Sequence, residues 1–208
     1  MRSVLCFLAL LTLFYCASCT SEQTEVSVAE TVQPVPAPTA LEVNPAAASS
    51  PYDLQFIDTM IVHHQGAVEM ATMAETRLQN GKLKALAKSI PADQQREIKQ
   101  MKAWREQWYP GSPSAQNMTM PGMGGSMMDM SHMKTMEAGP AYDAMFIDMM
   151  IPHHQGAVQM GENALAKAER LEVKELSKKI IDAQTREIEQ MKKLRVSLPN
   201  PPAESPMR

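Results

Sequence analysis

The residues with the clearest potential for chemistry are two pairs of adjacent histidines. His63 and His64 form the first pair, and His153 and His154 form the second pair, 90 positions later. The sequence contains only five histidines, so these pairs hold nearly all of its imidazole groups. Imidazole is a common ligand of copper and zinc. The pairs therefore predict metal binding by at least one histidine of each pair, and packing as ordinary core histidines is the alternative.

Methionines and aspartates accompany both pairs at helical spacing. Thioether sulfur suits Cu(I), whereas a carboxylate ligand would favour Cu(II) or zinc. The candidate ligands of this kind are Met60, Met150, Met70, Met160, Met101, Met191, Asp53 and Asp143. Methionines at this spacing commonly do nothing more than fill a core. That alternative stays open for the last four methionines of the set.

A second concentration of metal-binding residue types lies between residues 110 and 139. This segment contains eight of the nineteen methionines and the fifth histidine. Its glycines and prolines predict a long, solvent-accessible loop, in which thioethers gain little from burial and can wrap a Cu(I) or Ag(I) ion. The candidate ligands are Met118, Met120, Met123, Met127, Met128, Met130, His132, Met133 and Met136. A low-complexity linker without a metal role is the alternative.

The histidine pairs lie within a segment that occurs twice. Residues 52–109 align with residues 142–199 without a gap, and 27 of the 58 paired positions are identical, which indicates duplication. Apolar residues recur at intervals of three and four, which predicts helices, and no alternation predicts a strand. Each repeat suits a helical hairpin. We therefore predict an all-α fold, a four-helix bundle over residues 52–198 with helices of about 26 residues.

Three local features predict how the helices depart from regularity. Asn80-Gly81 indicates a stop between the first two helices. Pro152 removes a helical hydrogen bond directly before the second histidine pair, where the first repeat has Val62, so we expect a kink and unequal sites. The repeated glycines, Gly66 and Gly156, indicate the close approach of a neighbouring helix.

Residues 1–51 and the C-terminal end are predicted to lie outside the helical domain. Residues 1–18 have the basic start, short apolar core and small residues of an export signal. Small residues before Cys19 predict lipidation of that cysteine, and ordinary signal cleavage nearby is the alternative. Residues 19–51 have the composition of a disordered tether, and residues 199–208 form a tail.

Cysteine content and net charge exclude some kinds of metal site and binding partner. All three cysteines lie in the first 19 residues, so the rest of the chain has neither a disulfide framework nor a thiolate metal site. The net charge of −3 gives no indication of nucleic-acid binding. Membrane association is expected only through the lipid anchor. Because of the predicted export signal, the protein is expected in the periplasm or another extracytoplasmic compartment.

One family shares the pattern of the repeats. The shared residues are Asp143-x-x-Phe146-x-x-x-Met150-x-x-His153-His154-Gln155-Gly156-Ala157 and Gln184-x-x-Glu187-Ile188-x-x-Met191. This pattern resembles the domain-of-unknown-function 305 family, whose members have ferritin-like helical bundles and include CopM-type exported copper-binding proteins. The resemblance implies a copper-binding protein that contributes to copper tolerance. It would sequester copper or pass it to an efflux or chaperone partner.

Two other classes of function compete with copper binding. A ferritin-like enzyme would use a bound metal for redox chemistry, but the di-iron enzymes of this fold need paired Glu-x-x-His motifs, and neither repeat contains one. No combination of nucleophile, base and orienting group indicates another kind of catalysis. In a structural adaptor, the histidines would only pack. We therefore predict a binding protein and not an enzyme.

Overall fold

The computed structural model describes residues 44–126 and 129–200. All regular secondary structure in these two ranges is helical, which confirms the predicted all-α fold. The α-helices are α1 (Pro45–Ser49), α2 (Tyr52–Ala74), α3 (Gly81–Trp108), α4 (Ser131–Thr135), α5 (Pro140–Lys167) and α6 (Leu171–Arg195), and a 3₁₀ helix spans Met123–Ser126. No helix of the described ranges is both long and apolar enough to span a bilayer.

Four long helices make up most of the domain. Helices α2, α3, α5 and α6 have 23, 28, 28 and 25 residues, close to the predicted length. Helix α2 packs against α3 and α5, and α6 packs against α5 and α3. Their inner faces carry equivalent buried residues from the two repeats, such as Phe56 and Phe146. Each such side chain contributes about 1.5–3 kcal/mol to stability when it is removed from water.

The helix starts agree with the sequence in two places and differ in one. Pro51 precedes the first residue of α2 and Pro140 is the first residue of α5, as expected from the fixed φ of proline. The predicted stop at Asn80-Gly81 is wrong, because α2 already ends at Ala74. Asn80 instead begins α3, and its side-chain oxygen accepts from the backbone N–H groups of residues 82 and 83.

The domain begins earlier than the sequence predicts. Residues 44–50 belong to the folded structure, whereas the sequence predicts that they are part of the disordered tether. The Asn44 side chain donates to the backbone carbonyl of Ser114 at 2.9 Å, and Ala47 is buried in α1. The predicted export signal (residues 1–18), Cys19, the tether up to residue 43 and residues 201–208 of the tail lie outside the described residues.

Candidate metal centre

The four paired histidines meet at the contact between α2 and α5. The ring centroids of His63 and His153 are 4.0 Å apart, and within each pair the two centroids are 6.3 Å apart. All four side chains are at most 1% exposed. The two repeats therefore contribute to one buried group of imidazoles, which we call the histidine quartet (His63, His64, His153 and His154).

The two halves of the quartet have nearly the same geometry. The rings of His63 and His64 make an angle of 63°, and those of His153 and His154 make an angle of 56°. The rings of the two motifs are therefore arranged almost alike, and unequal metal binding by the two motifs stays a prediction. Helix α5 continues through Pro152, as α3 continues through Pro91, so the proline does not turn the second pair away from its equivalent position.

A glutamate on the partner helix of each hairpin contacts the second histidine of each pair. Nε2 of His64 lies 2.7 Å from Oε2 of Glu97, and Nε2 of His154 lies 2.7 Å from Oε2 of Glu187. These glutamates are not among the site residues predicted from the sequence. The available signal was the Arg-Glu-Ile triplet, which is identical in both repeats and lies at the same distance from each histidine pair.

The remaining ring nitrogens of the quartet, and the amides of two further buried side chains, have no hydrogen-bond partner within the described part of the chain. These atoms are both ring nitrogens of His63 and His153, Nδ1 of His64 and His154, and the side-chain amides of Gln94 and Gln184. Both glutamines are only 3% exposed. A buried polar group without a partner costs about 1–3 kcal/mol. Such a concentration at the centre of a domain indicates a site for a ligand.

Burial keeps the central imidazoles neutral. The pKa of His153 is lowered from 6.5 to about 3, mainly by desolvation and in addition by the neighbouring His154 and His64. Desolvation likewise holds the pKa of His63 well below its usual value, again with a contribution from the other three histidines. Both rings therefore retain a nitrogen lone pair at neutral pH, and neutral imidazole is the form that binds metal ions.

The packing of the two central rings restricts where an ion can bind. Rings with centroids 4.0 Å apart are in van der Waals contact, so no ion fits between their faces. An ion must therefore approach the ring edges, where the nitrogens lie. One such edge adjoins the backbone of α5, since a Cβ atom added to Gly156 would lie 3.0 Å from Nε2 of His63.

Buried thioethers form two groups in the cores on the two sides of the domain. Thioether cluster A consists of Met60, Met101, Met120, Met123 and Met160. Thioether cluster B consists of Met70, Met133, Met145, Met150 and Met191. Each cluster combines methionines from both repeats with at least one methionine of the connecting segment, and every member is at most 8% exposed. Core packing is thus one role of all these methionines, and their sulfurs lie among the buried residues of the domain.

The connecting segment is folded, which corrects the prediction of a solvent-accessible loop. Met120, Met123 and Met133 are buried in the two clusters. The other methionines with described positions are only partly buried, and they are Met118, Met130 and Met136. His132 is exposed on α4. Met127 and Met128 lie outside the described residues.

A pair of glycines permits this folding. Gly122 has a φ of +101°, which favours glycine, and it lies directly against Gly156 of α5. A Cβ atom on either glycine would lie 2.2 Å from the carbonyl oxygen of the other. The close approach predicted from Gly156 therefore exists, but its partner is the connecting segment and not a helix. This contact holds Met120 and Met123 beside α5.

The two aspartates proposed as ligands have a structural role. The carboxylate of Asp53 accepts from the backbone N–H groups of Glu169 and Arg170 at 3.1 and 3.0 Å, at the turn before α6. Asp143 accepts in the same way from residues 79 and 80 at 2.9 and 2.8 Å, at the turn before α3. Each aspartate therefore fixes the turn of the other hairpin. Both oxygens of each carboxylate are engaged with backbone N–H groups, and metal binding by Asp53 and Asp143 stays a prediction.

The donor set of the domain is therefore imidazole and thioether. No three His, Cys, Asp or Glu side chains within residues 44–126 and 129–200 come together as a metal-binding group. Nitrogen and sulfur donors of this kind match soft monovalent ions better than they match magnesium, calcium or a carboxylate-bridged iron pair.

Residues 53–195 match the model of the family described as Domain of unknown function (DUF305). Among solved structures, CopM in the Cu(II)-bound form is 41% identical, with 69% of this chain and 95% of that chain covered and a TM-score of 0.60. CopM in the Cu(I)-bound form is 40% identical, with coverages of 68% and 94% and a TM-score of 0.59.

A more distant structure has the same fold. A DUF305 protein from Streptomyces coelicolor is 26% identical, with 76% of this chain and 98% of that chain covered and a TM-score of 0.64. No curated protein matches the sequence. The family match covers more than half of the chain and agrees with the resemblance found in the repeats, so this protein belongs to the DUF305 family.

Proposed function

We propose that this protein binds copper through the histidine quartet and the two thioether clusters, with Cu(I) preferred and Ag(I) and Cu(II) also accepted. The observation that carries the proposal is the set of buried imidazole nitrogens without hydrogen-bond partners within the described chain. Copper bound at the ring edges would supply the missing partner. Bound ions would be sequestered or passed to an efflux or chaperone protein.

The chemistry of the donors supports a soft ion. His63 and His153 are neutral at physiological pH because burial disfavours the imidazolium form. Thioethers coordinate Cu(I) and Ag(I). Unlike the thiols of exported proteins, thioethers do not oxidise to disulfides. The structures of CopM in Cu(II)-, Cu(I)- and Ag-bound forms, which are 38–41% identical to this chain, support the same choice of ions.

The arrangement of the chain fits this role. We infer that the domain is a four-helix bundle built from a duplicated helical hairpin, with the methionine-rich segment inserted between the copies. The export signal and Cys19 would place it in the periplasm, attached to the membrane through a lipid. There it would contribute to copper tolerance by keeping free copper low. We propose binding and transfer, with no catalytic reaction.

Competition for Cu(I) against a chromophoric chelator tests the copper site. The variant with His63, His64, His153 and His154 all replaced by glutamine should lose the tightest bound copper while it keeps its helical circular dichroism. An unchanged copper stoichiometry and affinity in the folded variant would exclude the quartet. The exposed His132→Gln variant is the matched control and should retain that tightest site.

The contribution of sulfur is tested separately in each thioether cluster. Replacing Met120, Met123 and Met160 together by leucine removes three sulfurs from cluster A and conserves side-chain volume, at a cost of less than about 1.5 kcal/mol per site. Cu(I) affinity should fall while Cu(II) affinity falls less, because thioether is the softer donor. Met73→Leu is the control, since Met73 is only partly buried and is a member of neither cluster. Equal Cu(I) affinity of both variants would restrict the site to imidazole.

A copper-dependent enzyme is the outcome that opposes this proposal. The copper-loaded protein should not consume oxygen or hydrogen peroxide faster than the copper-loaded quartet variant. Faster consumption that depends on the quartet would replace binding by redox catalysis as the function of the site.

A further inference from the structure

We propose that Glu97 and Glu187 are positioning residues, which fix His64 and His154 in the Nε2–H tautomer and so present Nδ1 of each ring as the metal-binding nitrogen. The inference rests on the proposed function, because it names the atoms by which two of the four histidines would bind copper. It also assigns a role to two glutamates that the sequence motif of the histidines does not reveal.

The first step of the argument is the direction of the hydrogen bonds. A carboxylate has acceptors only, so a ring nitrogen 2.7 Å from one of its oxygens must carry the hydrogen. Nε2 of His64 and Nε2 of His154 are therefore donors. In a neutral ring the lone pair then lies on Nδ1. Metal-binding histidines commonly donate their other N–H to a carboxylate, which fixes the orientation of the ring and increases its basicity.

The second step is the environment of Nδ1. In both rings this atom is buried and lacks a hydrogen-bond partner within the described chain. The side chains themselves are 0% exposed, so solvent does not satisfy these nitrogens. With both rings neutral, two equivalent nitrogens with available lone pairs are thus held inside the domain. A metal ion can accept a lone pair from nitrogen, whereas a carbonyl oxygen cannot.

The third step is the position of the glutamates between the quartet and solvent. The side chains of Glu97 and Glu187 are 20% and 14% exposed, whereas the histidines that they contact are completely buried. Glu97 lines a groove of about 540 Å³ between α3 and α6, together with charged residues of both helices. Each carboxylate is therefore hydrated on one side while its Oε2 holds the buried ring on the other.

The same contact occurs in both repeats. The same atoms meet at the same distance, and the histidine and glutamate are 33 residues apart in each. An arginine–aspartate pair is also repeated, between Arg105 and Asp58 and between Arg195 and Asp148, whereas the pair of Lys192 with Glu189 is not. The glutamates differ from all these pairs because their partner is a completely buried imidazole.

The tautomers can be measured without metal. In protein labelled with ¹⁵N-histidine, long-range ¹H–¹⁵N spectra of the apo form should show His64 and His154 with hydrogen on Nε2. In Glu97→Leu the signals of His64 should change to a mixture of both tautomers, while His154 stays fixed and serves as an internal control. Glu187→Leu should have the opposite effect. Hydrogen on Nδ1 of these rings in the wild-type protein would overturn the inference.

The same spectra identify the binding atoms when Ag(I) is added as silver nitrate, since this ion is diamagnetic. The Nδ1 signals of His64 and His154 should shift on binding. The leucine variants should bind Ag(I) about 10–100-fold more weakly, as is typical when a contact that orients a ligand is lost. Glu97→Gln offers a variant of nearly unchanged shape whose amide oxygen can still accept from Nε2–H, and it should restore part of the affinity.

The outcomes separate this inference from the proposed function. A silver shift at His63 and His153 alone would overturn the positioning role and leave the copper site in place. An absence of shifts at all four histidines would overturn both. Glu189→Gln removes an exposed carboxylate from α6, and an equal loss of affinity in that variant would also reject a specific role of Glu187.

Discussion

Acidification provides a direct test of the neutral imidazoles at the centre of the domain. The pKa of His153 is lowered from 6.5 to about 3 by burial, and that of His63 is lowered in the same direction. Because the unfolded chain binds protons first as the pH falls, the folded state loses stability below pH 6.5, and the loss continues towards pH 3. At pH 5.5 each ring accounts for about 1.4 kcal/mol, or about 3 kcal/mol for both.

Urea unfolding of the metal-free protein at pH 7.5, 6.5 and 5.5 measures this loss. The double variant His63→Gln, His153→Gln should lack about 3 kcal/mol of the pH dependence, whatever its absolute stability. The comparison cancels the contributions of His64 and His154, which both proteins contain, and the range ends above the usual pKa of carboxylates. Equal pH dependence of the double variant and wild-type protein would refute the assignment of neutral, desolvated rings.

Two further perturbations test the contacts that position the site. The variants Asp53→Ala and Asp143→Ala should each have a free energy of unfolding lower by about 1.5–3 kcal/mol, because a charged acceptor of two backbone N–H groups is lost. Copper stoichiometry of the folded variants should not change, and its loss would identify these residues as ligands. Gly156→Ala should destabilise the domain by about 1–3 kcal/mol, since its Cβ would overlap the carbonyl of Gly122. Gly81→Ala has open space around it and should stabilise by about 0.4–1 kcal/mol, which makes it the matched control in the same urea experiment.

The sequence predicted the helices well because their pattern depends on local spacing. Apolar residues at intervals of three and four determine which face of a helix is buried, and the same intervals occur in both repeats. Helix α5 stays continuous through Pro152, because the packing of α5 against four neighbouring elements compensates for the one hydrogen bond and the strain that a proline costs a helix. The packing of α5 therefore determines its path at Pro152, and a local sequence pattern contains no information about that packing.

The site was only partly predictable for the same reason. Residue type identified the histidines, but the contact of His63 with His153 depends on how α2 and α5 cross. Glu97 and Glu187 were missed because they lie 33 residues from the histidines that they contact. Asp53 and Asp143 share the repeated pattern with the histidines, and a repeated pattern does not distinguish a residue that binds metal from one that fixes a turn.

The exchange of aspartates between the hairpins has a consequence for the origin of the chain. A single repeat contains one aspartate of this kind, at the start of its first helix, and one turn that needs it, yet Asp53 and Asp143 each serve the turn of the other repeat. Two copies of one hairpin could satisfy both contacts only as a symmetric homodimer, with the same surface used on each side. Fusion of such a dimer makes the pairing permanent and raises the effective concentration of each half. It also frees the copies to diverge, so that Trp104 and Trp108 now occupy positions where the second half has Leu194 and Leu198.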